Sequence, residues 1–328
     1  MQPWSEFVSD FSEIVMSSTA TAIDSKRTLR VAQFQIHFCV LLWGFTAILG
    51  KLISLPALAL VRWRMLIVTV ALLVVPKVWR GLRAITPRLF FAYALVGFFV
   101  AMHWLALYAS IKLSNASVGA TCIAIAPVFL AVLEPWLARR RFLWHELWIG
   151  IGVVPGVALV VGGIPDEMRM GVLVGVVSAF FCALFGALNK RLVERADPFT
   201  VTAIELGTGA AILWLIAAVV PHDGSVFDLP NAQDGFFLAV LAILCTLVPF
   251  TLSLVALRHL SAFAVELAVN LEPVYAILLA IPLFGEQRDL DLSFYLGVAI
   301  IIGAVLIHPL LERRRPHQVE TNVTGAVD

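Results

Sequence analysis

Charged residues are scarce in this sequence: Asp, Glu, Lys and Arg together make up 14% of its 328 residues. A soluble globular protein has roughly 25%. Apolar residues reach 61% and the mean hydropathy is +0.95, so there is too little polar surface to cover a water-soluble particle. The net charge of +1 provides no basic surface for a nucleic acid. The composition therefore predicts an integral membrane protein without a nucleic-acid partner.

Cysteine is also scarce. The four residues, Cys39, Cys122, Cys182 and Cys245, each lie inside an apolar run and form no closely spaced pair. This spacing excludes a secreted disulfide framework and a paired-cysteine zinc site. The sequence also lacks a serine-hydrolase elbow, an HExxH zinc helix and a phosphate-binding P-loop. We therefore expect no catalytic residues, no metal, no other cofactor and no ATP-driven pump.

Apolar segments long enough to cross the ~30 Å hydrocarbon core occur ten times. They run near residues 34–53, 56–76, 89–111, 115–138, 146–164, 170–190, 198–220, 235–257, 261–284 and 292–310. The loops between them are too short to hold a soluble domain. The expected fold class is all-α, with ten transmembrane helices between polar tails at residues 1–33 and 311–328.

The basic residues predict the orientation of these spans. If the N-terminus is cytoplasmic, 17 Lys and Arg residues fall on the inside and only four on the outside. Cytoplasmic loops carry the basic excess in membrane proteins, so we expect both termini in the cytoplasm. Residues 1–33 have no apolar core, so we do not expect a cleaved signal peptide.

The two halves of the chain repeat each other at offsets of 146 to 147 residues. Ala126-Pro127-Val128-Phe129 corresponds to Glu272-Pro273-Val274-Tyr275, and the Gly150 and Gly156 pair corresponds to Gly297 and Gly303. Each half contains an odd number of spans, so the second half should insert upside down. Inverted repeats of this kind permit alternating access to a central site.

Several motifs in this order carry a family resemblance: Leu42-Trp43-Gly44, Ala126 to Phe129, Asn270 to Tyr275 and Phe284-Gly285-Glu286. With these motifs, the chain over about residues 34–310 resembles the EamA-type members of the drug/metabolite transporter superfamily. The resemblance implies two five-helix repeats, 34–164 and 170–310, forming a permease of small metabolites, often an exporter. The first half departs from the family pattern, because Arg139-Arg140-Arg141 stands where Gly-Glu is usual.

Span nine carries the strongest candidate site, because ionisable groups inside a bilayer are costly and tend to be functional. Glu266, Asn270 and Pro273 share one helical face. Asn270 and Glu272 lie ~14–17 Å along the span from Ser261, close to the bilayer midplane. We predict that Asn270 binds substrate and that Glu272 couples a proton. The alternative is that Glu272 is a structural carboxyl bonded to a neighbouring helix.

Spans two and three provide further candidates. His103 and Trp104 are expected to bind substrate, and His103 is a second candidate for proton coupling. Arg62 is expected to pair with a substrate carboxylate or with a buried Glu. Arg64 points ~160° away from it on the helix and is expected to snorkel outward. Tyr108 is expected to be an interface anchor.

Spans four and seven supply two more substrate-binding candidates, Thr121 and Glu205, each with helix packing as the alternative role. Asn189, at the end of span six, is expected to be an anchor at the cytoplasmic surface.

These features predict a secondary transporter of small organic metabolites, with amino acids as the best guess, that works by alternating access and is proton-linked or facilitative. The alternatives are a transporter of sugar-linked or phosphorylated metabolites, an intramembrane lipid-active enzyme, and a non-transporting receptor. The expected partners are a small-molecule substrate and the lipid bilayer, and no oligomer is required. We expect a multi-pass protein of the bacterial cytoplasmic membrane.

Overall fold

The computed structural model describes residues 4–220, 225–288 and 290–313, and every regular element in these ranges is helical. In chain order the α-helices are α1 (Trp4–Leu52), α2 (Ala57–Leu73), α3 (Pro76–Ala84), α4 (Pro87–Leu113), α5 (Ala116–Cys122), α6 (Ala126–Leu137), α7 (Trp144–Gly162), α8 (Arg169–Leu192), α9 (Pro198–Val219), α10 (Ala232–Ala242), α11 (Val248–Leu257), α12 (Ala262–Val269), α13 (Glu272–Phe284) and α14 (Leu292–Arg313).

Within the described residues, seven helical segments are long and apolar enough to cross a membrane. They are Arg27–Leu52, Pro87–Leu113, Ala116–Leu137, Asp166–Leu192, Pro198–Val219, Ala232–Leu257 and Ala262–Phe284. An eighth results if α2 and α3 form one bent span. The two other expected spans correspond to shorter apolar helices, Trp144–Val160 and Leu292–Ala304. The chain is thus a multi-pass helical membrane protein, and the count of ten stays a prediction.

The N-terminal segment differs from the expectation of a separate tail. Helix α1 begins at Trp4 and continues without a break through residue 33 into the first span, ending at Leu52. At the other end of the chain, α14 ends at Arg313. Most of the expected C-terminal tail, residues 311–328, lies outside the described residues.

Helices α2 and α3 meet at a bend of 92°. The bend occurs at Pro76, which disfavours the helical conformation for the residue before it, and Val75 is extended, with φ −83° and ψ 115°. In α3 Val78 is buried, whereas Trp79 and Arg80 are exposed. The connection expected between spans two and three is therefore a short amphipathic helix rather than a loop.

Two spans are broken at equivalent positions of the repeat. A 3₁₀ turn at Ile123–Ile125 separates α5 from α6, and a turn at residues 270–271 separates α12 from α13. Pro127 and Pro273 follow the two breaks and stand 146 residues apart. The breaks touch, because the Asn270 Nδ2 donates to the Ala124 carbonyl over 3.2 Å. The two irregular backbone segments thus meet inside the bundle.

Helices α7 and α14 approach each other closely at two glycines. A Cβ atom on Gly156 would lie 2.7 Å from the Gly297 carbonyl oxygen, and a Cβ on Gly297 would collide with the Gly156 carbonyl oxygen. Residues with a side chain would keep the two backbones farther apart. These glycines therefore allow the backbones of α7 and α14 to pack in direct contact.

Polar contacts between connecting segments define one end of the bundle, which we call the basic end. Lys77 Nζ pairs with Asp197 Oδ2 over 2.5 Å. Arg258 Nη2 donates to the Ala196 carbonyl over 3.0 Å, and Arg191 Nη1 donates to a carbonyl at the end of α6. The residues assembled here come from the loops that the basic-residue count assigns to the cytoplasm.

The opposite end is held by a different set of contacts. The Asp234 carboxylate accepts hydrogen bonds from the Ser54 backbone amide (2.8 Å) and hydroxyl (2.6 Å). Lys112 Nζ donates to the Ile53 carbonyl over 2.5 Å. The loops that the same count assigns to the outside therefore meet one another.

Candidate functional site

A central cavity of about 90 Å³ lies between the two halves of the chain. Its lining residues come from both halves and from both sides of the break in span nine. They are Trp43, Thr46, Arg64, His103, Trp104, Leu107, Ile123, Cys182, Phe185, Gly186, Asn189, Phe250, Ser253, Leu254, Leu257, Ala262, Val265, Glu266, Val269 and Glu272. Three of the predicted site residues, His103, Trp104 and Glu272, are therefore brought together.

Arg64 is the arginine that lines the cavity, in contrast to the expectation that it would snorkel outward. Its side chain is 1% exposed. Nε donates to Thr246 Oγ1 over 2.6 Å, Nη1 to the Tyr108 hydroxyl over 2.9 Å and Nη2 to the Cys245 carbonyl over 3.4 Å. The guanidinium carbon also lies 3.9 Å from the centroid of the Trp104 ring. Tyr108 is thus a buried partner of Arg64 rather than an interface anchor.

A local distortion of the chain helps to form this arginine site. Residues Ile243–Leu247 form one π-helical turn between α10 and α11. The Thr246 hydroxyl donates to the Leu241 carbonyl over 2.6 Å and accepts from Arg64. A π-turn of this kind often occurs at functional sites, because it redirects backbone groups out of the helical ladder.

Two carboxyl side chains line the same cavity. Glu266 lies in α12 and accepts from the Cys182 thiol over 3.3 Å. Glu272 is the first residue of α13, directly after the break, and its carboxyl is within electrostatic range of Glu266 and Arg64. Among the described residues the Glu272 carboxyl has no hydrogen-bond partner. Its side chain is buried and belongs to the cavity lining.

His103 is fixed by a serine on the neighbouring helix α8. Its Nδ1 lies 3.0 Å from the Ser178 carbonyl and 2.9 Å from the Ser178 hydroxyl, which donates to the His103 carbonyl. A carbonyl oxygen can only accept, so we assign the hydrogen to Nδ1. Nε2 is then the acceptor nitrogen of a ring that lines the cavity.

Aromatic rings form the apolar wall of the cavity. The Trp104 and Phe250 centroids are 5.9 Å apart, and Phe185 lies 6.5 Å from Phe250 and 5.4 Å from His103. Trp43 on α1 lines the same space. The cavity therefore combines flat apolar surfaces with one guanidinium, that of Arg64, and two carboxyls, those of Glu266 and Glu272.

Arg62, the predicted substrate partner, does not line the cavity. Its guanidinium carbon lies 4.0 Å from the Trp214 ring centroid and 5.1 Å from that of Phe227, and Nη2 donates to the Val226 carbonyl over 2.6 Å. It is fully buried near the end opposite the basic end. The structure thus places Arg62 in a helix-to-loop contact.

The three other predicted substrate ligands are buried outside the cavity lining. The Thr121 hydroxyl donates to the Ser117 carbonyl of its own helix over 2.7 Å. Glu205 Oε2 accepts from Asn189 Nδ2 over 3.3 Å, and its Oε1 has no partner in the described part of the chain. Asn270 connects the two helix breaks, as described above. Asn189 itself, expected as a surface anchor, is 3% exposed and lines the cavity.

The cavity extends from the centre of the bundle toward the basic end. Its lining includes Asn189, Leu257 and Ala262, which lie at the ends of α8, α11 and α12 on that side. In the other direction it stops at the level of Arg64, above which the Arg62 and Asp234 contacts close the bundle. The cavity is therefore directed toward the basic end.

One carboxylate connects the two halves at the basic end. Glu134, at the end of α6, accepts from the backbone amides of Ala262 (3.0 Å) and Phe263 (2.9 Å) and so caps α12. Arg140 Nη2 lies 3.1 Å from the same carboxylate and also pairs with Glu146. The Arg139 to Arg141 run that replaces the usual Gly-Glu thus supplies the counter-ion of this cap.

Comparison with known proteins identifies a family. The profile of the EamA-like transporter family matches residues 32–162 and, a second time, residues 169–308. The uncharacterized transporter YxxF of Bacillus subtilis is 27% identical over 237 residues, which cover 70% of this chain and 71% of that protein. An uncharacterized transporter of Pseudomonas aeruginosa is 26% identical, with 76% and 83% covered.

A plant protein and a solved structure are also similar. A probable sugar phosphate/phosphate translocator of Arabidopsis thaliana is 24% identical, with 61% of this chain and 65% of that protein covered. A crystal structure with 16% identity superposes with a TM-score of 0.64 over 87% of this chain and 98% of the other. At this identity the superposition establishes the fold alone.

Proposed function

Because the chain belongs to the EamA-like transporter family, we propose that it is a secondary transporter that moves small organic solutes through the central cavity by alternating access. The observation that carries the proposal is the meeting of the two broken spans beside a cavity that holds Arg64, Glu266 and Glu272. Irregular backbone and ionisable groups at membrane depth are tolerated where they surround a solute pathway.

The proposed architecture is two inverted five-helix repeats, residues 34–164 and 170–310, in ten spans. The shorter helices α7 and α14 would be the fifth and tenth, packed together through Gly156 and Gly297. The basic end would lie in the cytoplasm, together with both termini, because most Lys and Arg residues of the loops are found there. The bacterial relatives favour the bacterial cytoplasmic membrane as the location.

Glu272 is the proposed proton site. It lies at the start of α13, lines the cavity, and has no hydrogen-bond partner among the described residues. A carboxyl in this position can exchange a proton with solute or water that enters the cavity, and no helix contact would break when it does so. His103 is the proposed second titrating group, held in one orientation by Ser178.

Small amphipathic metabolites, amino acids among them, are the proposed solutes. The aromatic wall suits an apolar body, and the ionisable groups suit a polar head. The name of the Arabidopsis relative raises sugar phosphates as the second candidate. Against that candidate, the cavity offers two carboxyls and a single guanidinium, a poor match for a phosphate dianion.

The test uses the purified chain in proteoliposomes that contain a trapped pH-sensitive dye, with fractions of a bacterial metabolite extract added outside. The parent protein should show solute-driven proton flux and pH-dependent uptake. Glu272→Gln keeps the size of the side chain but cannot titrate. It should abolish the pH dependence while solute exchange continues at a saturating solute concentration. Glu167→Gln, an exposed carboxyl at the opposite end, is the matched control. An unchanged pH profile in Glu272→Gln would make Glu272 a structural carboxyl.

A further inference from the structure

We propose that the central cavity recognises solutes through a protonated amine, which takes the place of a proton between Glu266 and Glu272. This inference rests on the proposed transport function and specifies which chemical group of the solute the site recognises. Carboxylate and phosphate groups are, on this proposal, not the recognised feature.

The charge balance of the cavity is the first argument. Its lining contains one guanidinium, that of Arg64, and two carboxyls, those of Glu266 and Glu272. When both carboxyls are ionised the cavity carries one negative charge in excess, and an uncompensated buried charge is costly. Either a proton or the ammonium group of a solute can balance it. A carboxylate or phosphate would instead increase the imbalance.

Apart from a proton taken up by His103, titratable groups on the neighbouring elements do not supply the missing positive charge. Those that face the carboxyl pair or its arginine are Arg64 on α2, His103 and Tyr108 on α4, Glu134 at the first turn of α12, Cys182 on α8 and Cys245 in the π-turn. Arg64 is the one permanent cation of this set, and its nitrogens contact Tyr108, Thr246 and the Cys245 carbonyl.

The available hydrogen-bonding groups also favour an ammonium ligand. Each of the three Arg64 nitrogens already donates one hydrogen bond inside the protein, and the guanidinium face covers Trp104. In contrast, Glu272 has no hydrogen-bond partner in the described residues, and Glu266 has only the weak thiol donor of Cys182. Three of the five Arg64 N–H groups are thus occupied and two remain, whereas the open positions beside the two carboxyls are acceptors, to which an ammonium group brings three donors.

The aromatic walls of the cavity are suited to the apolar part of such a solute. Trp43, Phe185 and Phe250 line the space beside the carboxyl pair. Aromatic faces attract both apolar bodies and organic cations. A volume of about 90 Å³ holds roughly six water molecules, so the amine should be small. The chemical class is thus a small amphipathic amine, and amino acids would be recognised through their ammonium group.

The experiment measures binding to the purified full-length chain by titration calorimetry with four matched probes. 2-Phenylethylamine carries an ammonium group, and phenylalanine carries an ammonium group and a carboxylate. 3-Phenylpropanoate carries a carboxylate alone, and 2-phenylethanol carries no charge. The two probes with an ammonium group should bind at least about tenfold more tightly than the other two, as expected for charge-assisted hydrogen bonds. Lowering the pH should weaken amine binding, because protons compete for the same carboxyls.

Two variants test whether the carboxyls of Glu266 and Glu272 bind the ammonium group. Glu266→Gln and Glu272→Gln should each weaken 2-phenylethylamine binding by about tenfold or more, whereas the exposed Glu167→Gln should leave it unchanged. Retained amine binding in both carboxyl variants would overturn the proposal. So would tighter binding of 3-phenylpropanoate, or binding of phenylalanine alone, since each requires recognition of a carboxylate.

Failure of this proposal can be distinguished from failure of the transport function. If no amine binds but metabolite fractions still drive proton flux through the parent protein, the chain transports solutes of another class. If amines bind but no solute moves and no proton flux appears, the amine site stands and the transport proposal fails.

Discussion

Arg62 and Arg64 are both fully buried cations on α2, yet they occupy different environments. Arg62 stacks on Trp214 beside a loop, whereas Arg64 lies between Tyr108, Thr246 and the cavity. Burial alone does not separate their roles. Their neighbours separate the two roles, because only Arg64 lines the cavity that also contains the ionisable groups of span nine.

We therefore predict opposite consequences for the same substitution at the two positions. Arg64→Lys keeps the charge but cannot make three directed hydrogen bonds or cover Trp104, so solute transport should fall at least about tenfold. Arg62→Lys loses ring stacking and should cost about 1–2 kcal/mol of stability with transport retained. Flux in proteoliposomes and thermal midpoints in detergent measure the two effects. A transport defect confined to Arg62→Lys would restore the sequence-based assignment.

Glu134 joins the halves through backbone amides and is the second residue with a distinct prediction. Glu134→Gln leaves one carbonyl oxygen for the amides of Ala262 and Phe263 and removes the ion pair with Arg140. We expect a loss of about 1–3 kcal/mol, since a charged cap is replaced by a neutral one. Glu146→Gln affects the Arg140 pair without touching α12, so its thermal midpoint should fall less. Equal losses would mean that the cap contributes nothing.

Among the helices, the breaks in spans four and nine are the elements that the sequence predicts best. Pro127 and Pro273 each remove a backbone donor and stand at matching positions, so interruption of both spans could be expected. The 3₁₀ turn before Ala126 could not be predicted from the sequence. Nor could the contact between the two breaks, because a proline does not specify which helix its freed carbonyls meet. Pro249 follows the π-turn at Ile243–Leu247 and cannot donate to the Cys245 carbonyl, but a proline does not by itself predict a π-turn.

The crossing of α7 and α14 provides an element-scale prediction with an internal control. Gly297→Ala would push a methyl group into the Gly156 carbonyl and Val160, whereas a Cβ on Gly152, also on α7, meets no atom within 4 Å. We expect Gly297→Ala to cost about 1–3 kcal/mol as overpacking. Gly152→Ala should be neutral or slightly stabilising, as alanine favours helices. Thermal midpoints in detergent that fall equally for both would refute the close crossing.

At the scale of the whole molecule, composition and hydropathy were enough to predict a helical membrane protein, and internal repetition led to the transporter family. The lining of the candidate cavity could be predicted only in part. His103, Trp104 and Glu272 line one cavity, but Arg62, Thr121, Glu205 and Asn270 do not. Sequence gives the depth of a residue along its span, but it does not give the rotation of that span about its axis. Arg64, Asn189 and the aromatic wall depend on that rotation.

Cys182 offers a native reporter of the direction in which the cavity opens. It is the only one of the four cysteines that lines the central cavity, and all four are buried. Replacement of Cys39, Cys122 and Cys245 by alanine leaves a single thiol beside Glu266. Because the cavity extends toward the basic end, a membrane-impermeant thiol reagent should modify Cys182 in inside-out vesicles and not in intact cells.

Two calibration sites make this last prediction decisive. With all four native cysteines replaced by alanine, Arg80→Cys, exposed on α3 near the basic end, and Leu229→Cys, 80% exposed before α10, should be labelled from opposite sides of the membrane. If Arg80→Cys reacts from the cytoplasm together with Cys182, the structure represents the carrier open to the inside. Labelling of both calibration sites from one side would contradict the proposed topology. Labelling of Cys182 from the outside would contradict the proposed direction alone, since the topology is read from the other two sites.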